Sequence, residues 1–138
     1  MKVRAFLLGA LLTISQSAIA ANGTLLFVPL DDRPVCLDYT VETMKAAGWD
    51  VKTPPREYIS GAIKKGEPDK IMDWLEENGK TSTAVVASSD ALIYGGLVGS
   101  RTHEIPQEIL QKRAERLLAL KNNTHNQKIY ILLNNHMV

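Results

Sequence analysis

The chain has 138 residues, of which 45% are hydrophobic and 22% charged. This is the composition of a folded protein rather than a disordered one, and the length predicts one domain at most. Of the 16 basic residues, Lys2 and Arg4 stand at the very start, and taking those two away leaves 14 against 15 acidic ones. Nucleic-acid binding shows itself as a concentrated basic face, so this balance argues against a nucleic-acid partner.

The N-terminus reads as a secretory leader. Lys2 and Arg4 supply a positive start, residues 5–14 form an apolar run, and Ala18 and Ala20 provide the small residues that precede a cleavage site. The run is too short to cross a bilayer. Cleavage is expected after Ala20, which leaves residues 21–138 as an exported α/β domain, periplasmic or secreted, with no stable transmembrane segment. Cys36 is the one cysteine, so no internal disulfide can form. It follows an Arg-Pro turn but has no neighbouring histidine in sequence to serve as its base, and a small buried residue at a helix start is the expected role.

Residues 24–30 (TLLFVPL) are a short apolar run that ends at Asp31-Asp32, which predicts a strand buried on both faces. Pro34 breaks the chain in a turn, and a helix is expected over 37–47, stopped by Gly48. A second, shorter strand is expected over 49–53, ended by Pro54-Pro55. One or two helical turns over 56–63 and a solvated turn at 64–66 come next. A further helix begins near Pro68, turns Ile71, Trp74 and Leu75 inward and is capped by Gly79. Residues 84–87 (AVVA) are a third strand leading into Ser88-Ser89-Asp90. Residues 91–94 stay apolar, and 95–101 are glycine-rich. The longest helix is expected over 105–120 and a fourth strand over 128–133. Alternation of this kind predicts a mostly parallel four-stranded sheet with flanking helices, either an incomplete Rossmann-like fold or a truncated β/α-barrel.

Both architectures bind ligands beyond the carboxyl ends of their strands. Three stretches qualify by position: Asp31-Asp32-Arg33, Ser88-Ser89-Asp90 and Asn134-Asn135-His136. A carboxylate at a strand exit can accept a proton, attack carbon or phosphorus, or bind a divalent cation. An arginine beside it can neutralise it or clamp an anionic group. The competing account is structural, since Asp and Pro also favour turns and helix starts. If the first and third strands are neighbours, Asp31 or Asp32 approaches Asp90, and two acids at one mouth suit an acid–base pair or a metal. Tyr94 and Arg101 flank Gly95, Gly96 and Gly99, which is neither a dinucleotide fingerprint nor a Walker loop. The spacing of His103, His125 and His136 does not suit a metal site, and no serine elbow is present. The cofactor therefore stays undefined, with a divalent cation as one option.

The segments VPLDDRPVCLDY (28–39), TPPRE (53–57) and SSDALIYGGLVGSR (88–101) together resemble the bacterial family called domain of unknown function 4127. The resemblance covers nearly the whole mature chain. It implies that Asp31, Asp32, Arg33, Pro34, Asp90, Tyr94, Gly95, Gly96, Ser100 and Arg101 fall on the family's motif positions. Members of that family are several times longer, so the resemblance also implies an N-terminal fragment or a truncated reading frame. A fourth strand so near the end further predicts an open sheet face or edge, through which the chain associates. The function expected is an extracytoplasmic hydrolase acting on a carbohydrate or cell-envelope glycan. In it Asp31, Asp32 and Asp90 are catalytic, and Arg33, Tyr94, Gly95, Gly96, Ser100 and Arg101 bind substrate. A small-ligand or sugar-binding domain without catalysis, and an inactive fragment, are the alternatives.

Overall fold

A computed structural model describes residues 22–122 and 128–133. The leader, His125 and the Asn134-Asn135-His136 stretch lie outside the described residues. Four strands, β1 (Thr24–Val28), β2 (Asp50–Lys52), β3 (Ala84–Ser88) and β4 (Lys128–Leu132), form one sheet in the order β2-β1-β3-β4. Every pairing is parallel. A barrel would pair its strands in chain order. Here β3 pairs with β1 instead of β2, so the strand order is that of the Rossmann-like alternative, and the described residues close no barrel.

The helices are α1 (Asp38–Ala46), α2 (Pro68–Gly79), α3 (Ser89–Ile93), α4 (Leu97–Thr102) and α5 (Gln107–Asn122), with a single 3₁₀ turn at Arg56–Tyr58. Strand order and crossover handedness decide which face each helix covers. The β1-to-β2 crossover steps outward in one direction, whereas β2-to-β3 and β3-to-β4 step in the other. Right-handed connections therefore put α1 on one face and α2 and α5 on the opposite one. The packing agrees. Side-chain alternation sends Leu26, Val28, Val85 and Ala87 to one face, where Ile71, Met72 and Leu75 of α2 meet them and Leu117 and Leu120 of α5 pack alongside with Ile129 and Ile131. Leu25, Phe27 and Ala84 point to the other face, against Val41 and Met44 of α1 and Trp49. Leu26, Val28 and Leu92 are completely buried, and burial of each such side chain contributes about 1.5–3 kcal/mol.

One consequence is a half-covered sheet. Register aligns Phe27 with Val86 and Val86 with Tyr130, a row on the α1 face. Helix α1 reaches only the β1 and β2 end of it. Tyr130 and Leu132 are each 55% exposed and Leu133 is 74% exposed, so the expected open apolar surface is present among the described residues.

Helix α5 docks in a different way. None of its residues is fully buried. Arg113 lies along α2 and gives two hydrogen bonds to Asp69, at 3.1 and 2.6 Å, and a third to the Ile93 carbonyl at 2.8 Å. Arg116 reaches both Asp73 and Glu76 of α2, at 2.7 and 2.8 Å. These fixed carboxylates hold its guanidinium even more firmly protonated than usual.

The segment 89–101, read from sequence only as an apolar stretch followed by a glycine-rich one, is largely helical. It coils into α3 and α4, because the Ser88 hydroxyl accepts the Ala91 N–H as a helix cap and Gly95-Gly96 breaks the helix in two. Residues 56–63 hold one of the one or two helical turns expected, the 3₁₀ turn at Arg56–Tyr58, followed by an irregular loop.

Candidate functional site at the β1–β3 mouth

Val28 and Ala87 are direct partners in the β1–β3 register. Asp31 and Asp90 each follow three residues later, so both leave the sheet at the same level from adjacent strands. Neighbouring strands lie about 4.8 Å apart, which brings the two acidic segments to one mouth, on the side where open parallel sheets bind ligands.

Asp31 is buried, and its carboxylate is turned onto Arg33. The Arg33 Nε donates to both oxygens at 3.0 and 2.9 Å, a terminal nitrogen lies 2.7 Å from Oδ2, and the Arg33 backbone N–H donates to Oδ1 at 3.1 Å. The side chain thus shapes the turn as well as holding a charge. Burial alone would push the carboxyl upward, but hydrogen bonds from the Arg33 guanidinium, the Cys36 thiol and the Arg33 N–H bring it below its ordinary value, so Asp31 is ionised at neutral pH. Burial and the adjacent Asp31 push the Cys36 thiol up, and a protonated thiol is a poor nucleophile. Cys36 is half-buried rather than buried at this helix start.

Asp90 is 4% exposed. It is the second residue of α3, whose N-cap is Ser88, so the helix-cap account of Asp90 does not hold. The Ser100 hydroxyl of α4 faces Asp90 Oδ2 at 3.1 Å and the Leu97 carbonyl at 2.9 Å. The Asp90 carbonyl accepts the backbone N–H groups of Tyr94 and Gly96. Ser100 and Asp90, ten residues apart in sequence, are therefore brought into direct contact.

The loop between the 3₁₀ turn and α2 stitches the two acidic segments together. The Asp32 N–H donates to the Ser60 carbonyl at 2.8 Å, and the Ser60 hydroxyl donates to the Leu30 carbonyl at 3.3 Å. Gly96 sits against the same spot. A Cβ there would lie 2.0 Å from Ser60 Oγ and 3.3 Å from the Leu30 oxygen, and its φ of +120° with ψ of −178° is open only to glycine. Gly95 is paired by backbone too, its carbonyl accepting the Gly66 N–H at 3.1 Å. Half-buried Asp32 abuts Gly61, where a Cβ would come within 2.9 Å of its carboxylate.

The remaining expected residues divide. Tyr94 is half-buried and rests its ring on His103, with centroids 4.8 Å apart. Arg33 is exposed at the mouth and committed to Asp31. Arg101 is exposed on α4 and makes no ion pair among the described residues. Ser60, Gly61, Gly66 and Arg56 were not singled out by sequence reasoning. The double proline and the two later glycines were the available signal, since they mark a loop whose backbone approaches other backbone closely. Among the described residues no group of three His, Cys, Asp or Glu side chains gathers as a metal ion requires, and no helix is long and apolar enough to cross a membrane.

Among curated proteins and solved structures none matches the chain. A family does, the one described as protein of unknown function (DUF4127), and its match runs over residues 25–133. That span takes in both acidic segments, the stitching loop and, but for Thr24, all four strands, and the chain belongs to the DUF4127 family.

Proposed function

We propose that this chain is the acid-bearing part of an exported hydrolase acting on a carbohydrate or cell-envelope glycan. The observation that supports it best is the β1–β3 register, in which paired Val28 and Ala87 precede the segments that carry Asp31, Asp32 and Asp90. Glycoside hydrolysis needs two carboxyl groups flanking the bond that breaks, one to protonate the leaving oxygen and one to attack the sugar or activate water. Asp32 and Asp90 take those roles. Asp31, kept ionised by Arg33, favours the positive charge that develops on the sugar. Arg33 and Arg101 orient the substrate, Tyr94 packs on it, and Gly95, Gly96 and Ser100 shape the wall around Asp90. Export belongs to the same proposal and rests on Lys2, Arg4, the apolar run at 5–14 and the Ala18/Ala20 pair. N-terminal sequencing of secreted product should begin at Ala21.

The test is release of reducing sugar from peptidoglycan and from chromogenic glycosides. Asp32→Asn and Asp90→Asn should each lower the rate by about 10²–10⁴-fold, the usual share of acid–base catalysis. Equal rates in all variants would refute the assignment. One observation favours a second reading, binding without turnover: both Asp31 oxygens are already engaged by Arg33. Under that reading a glycan binds, no sugar is released, and Arg33→Gln weakens the binding.

A further inference from the structure

Beside the mouth lies a groove of about 350 Å³ between the start of α1 and the segment that follows β2. This falls within the size of small-molecule sites, roughly 300–1,000 Å³. Buried Leu37, Pro54 and Ile59 and half-buried Val41 and Val51 lie along its floor. Its rim carries four charges, Asp38, Glu42, Lys45 and Arg56. Two of them satisfy each other, since Arg56 spans the Asp38 carboxylate at 3.2 and 3.4 Å and also donates to the Asp32 carbonyl at 3.1 Å. Glu42 and Lys45 stand three residues apart on α1, and neither makes an ion pair among the described residues.

We infer that this groove binds a small zwitterion with an aliphatic body, a free amino acid or short peptide. The charges decide the class. An anion alone would satisfy Lys45 while facing Glu42, and a cation alone would do the reverse. A ligand carrying one charge of each sign answers both. The floor decides the body. Among the described residues no aromatic side chain lines the groove, so a sugar ring has nothing flat and apolar to stack on, whereas a small aliphatic side chain rests on the exposed edges of Val41 and Val51. The groove stands apart from the acids proposed for hydrolysis, and its assignment does not rest on theirs. Arg56 joins the two places, because one guanidinium edges the groove and reaches the backbone of Asp32.

The experiment is a ¹H–¹⁵N titration of the full chain with leucyl-alanine, its N-acetylated form, its C-terminal amide and N-acetylglucosamine. The free dipeptide should give saturable shifts confined to residues 37–45 and 51–59, with a Kd of about 1 mM. Blocking either terminus should weaken binding about fivefold or more. Lys45→Gln should erase the preference for a free carboxylate, and Glu42→Gln the preference for a free amine. Both side chains are exposed, so unchanged spectra elsewhere will show the fold intact. Absence of saturation up to about 50 mM, equal binding of the blocked forms, or N-acetylglucosamine shifting the same amides would overturn the inference. Sugar release measured separately, with the acid variants, reports on the hydrolase alone.

Discussion

Replacement of Gly79 by alanine should make this protein more stable, and the structure supplies the magnitude. Gly79 is the last residue of α2. A Cβ built there meets nothing within 4 Å. Gly79 is itself part of the lining of an apolar void of about 10 Å³, with Leu75, Val85, Ala87, Leu117, Leu120, Ile129 and Ile131. Two effects add. Alanine lowers the backbone entropy of the unfolded chain, worth about 0.4–1 kcal/mol. The buried methyl contributes up to about 0.8 kcal/mol. The expected gain is therefore about 1–1.5 kcal/mol, which for a chain of this size raises Tm by about 4–10 °C. Urea titration and thermal melting followed by circular dichroism measure both quantities, and the urea slope should stay the same. Gly79→Leu, which overfills the same space, should cost about 1–3 kcal/mol. A lower urea midpoint for Gly79→Ala would mean that α5 sits closer to the sheet than described, and the account of how α2 and α5 share this face would fall with it.

Gly96→Ala should destabilise by about 1–3 kcal/mol, and Ser60→Gly should recover only part of the loss, because the backbone geometry stays closed to alanine even when the hydroxyl is gone; paired urea curves test this. Arg113→Met should cost about 1–2 kcal/mol, and hydrogen exchange should quicken in α5 ahead of β1. Asp31 has a folded pKa below its ordinary 3.8, so the stability it adds is fully present above that value and is lost as pH falls through the lower folded one. The stability difference between the native chain and Asp31→Asn should accordingly be full at neutral pH and shrink on acidification below about pH 4. A difference that grew on acidification would contradict the Asp31–Arg33 geometry.

Strands β1, β3 and β4 were legible because each is a short, largely apolar run, and β2, which is not, because Gly48 and Pro54-Pro55 bound it. Their parallel pairing followed from the helices between them. Strand order was not legible, since the pattern alone does not say whether β3 joins β1 or β2. Residues 89–101 escaped for a local reason. The Ser88 cap and the Gly95-Gly96 break are ordinary in composition, and only the contact between Gly96, Ser60 and Leu30 explains why the chain must turn there. The acids at 31, 32 and 90 were found from position alone. Their different surroundings, an arginine clamp for Asp31 and a serine for Asp90, depend on folding of the segments after each strand. Arg56 was passed over because its partners, Asp38 and the Asp32 carbonyl, lie 18 and 24 residues away in sequence.

The way α5 is fastened separates the two sides of the sheet by solvent chemistry. Helix α1 adheres through Val41 and Met44, while α5 relies heavily on the arginines that grip Asp69, Asp73 and Glu76. Sodium chloride weakens such close pairs only as the Debye length falls from about 10 Å at 0.1 M to about 3 Å at 1 M, and it leaves aliphatic packing nearly alone. Sulfate, excluded from protein surface, tightens aliphatic packing while screening the same charges. One protein thus carries two layers with opposite responses to ions, and because Arg113 also holds the Ile93 carbonyl at the end of α3, ionic strength reaches the helix that bears Asp90.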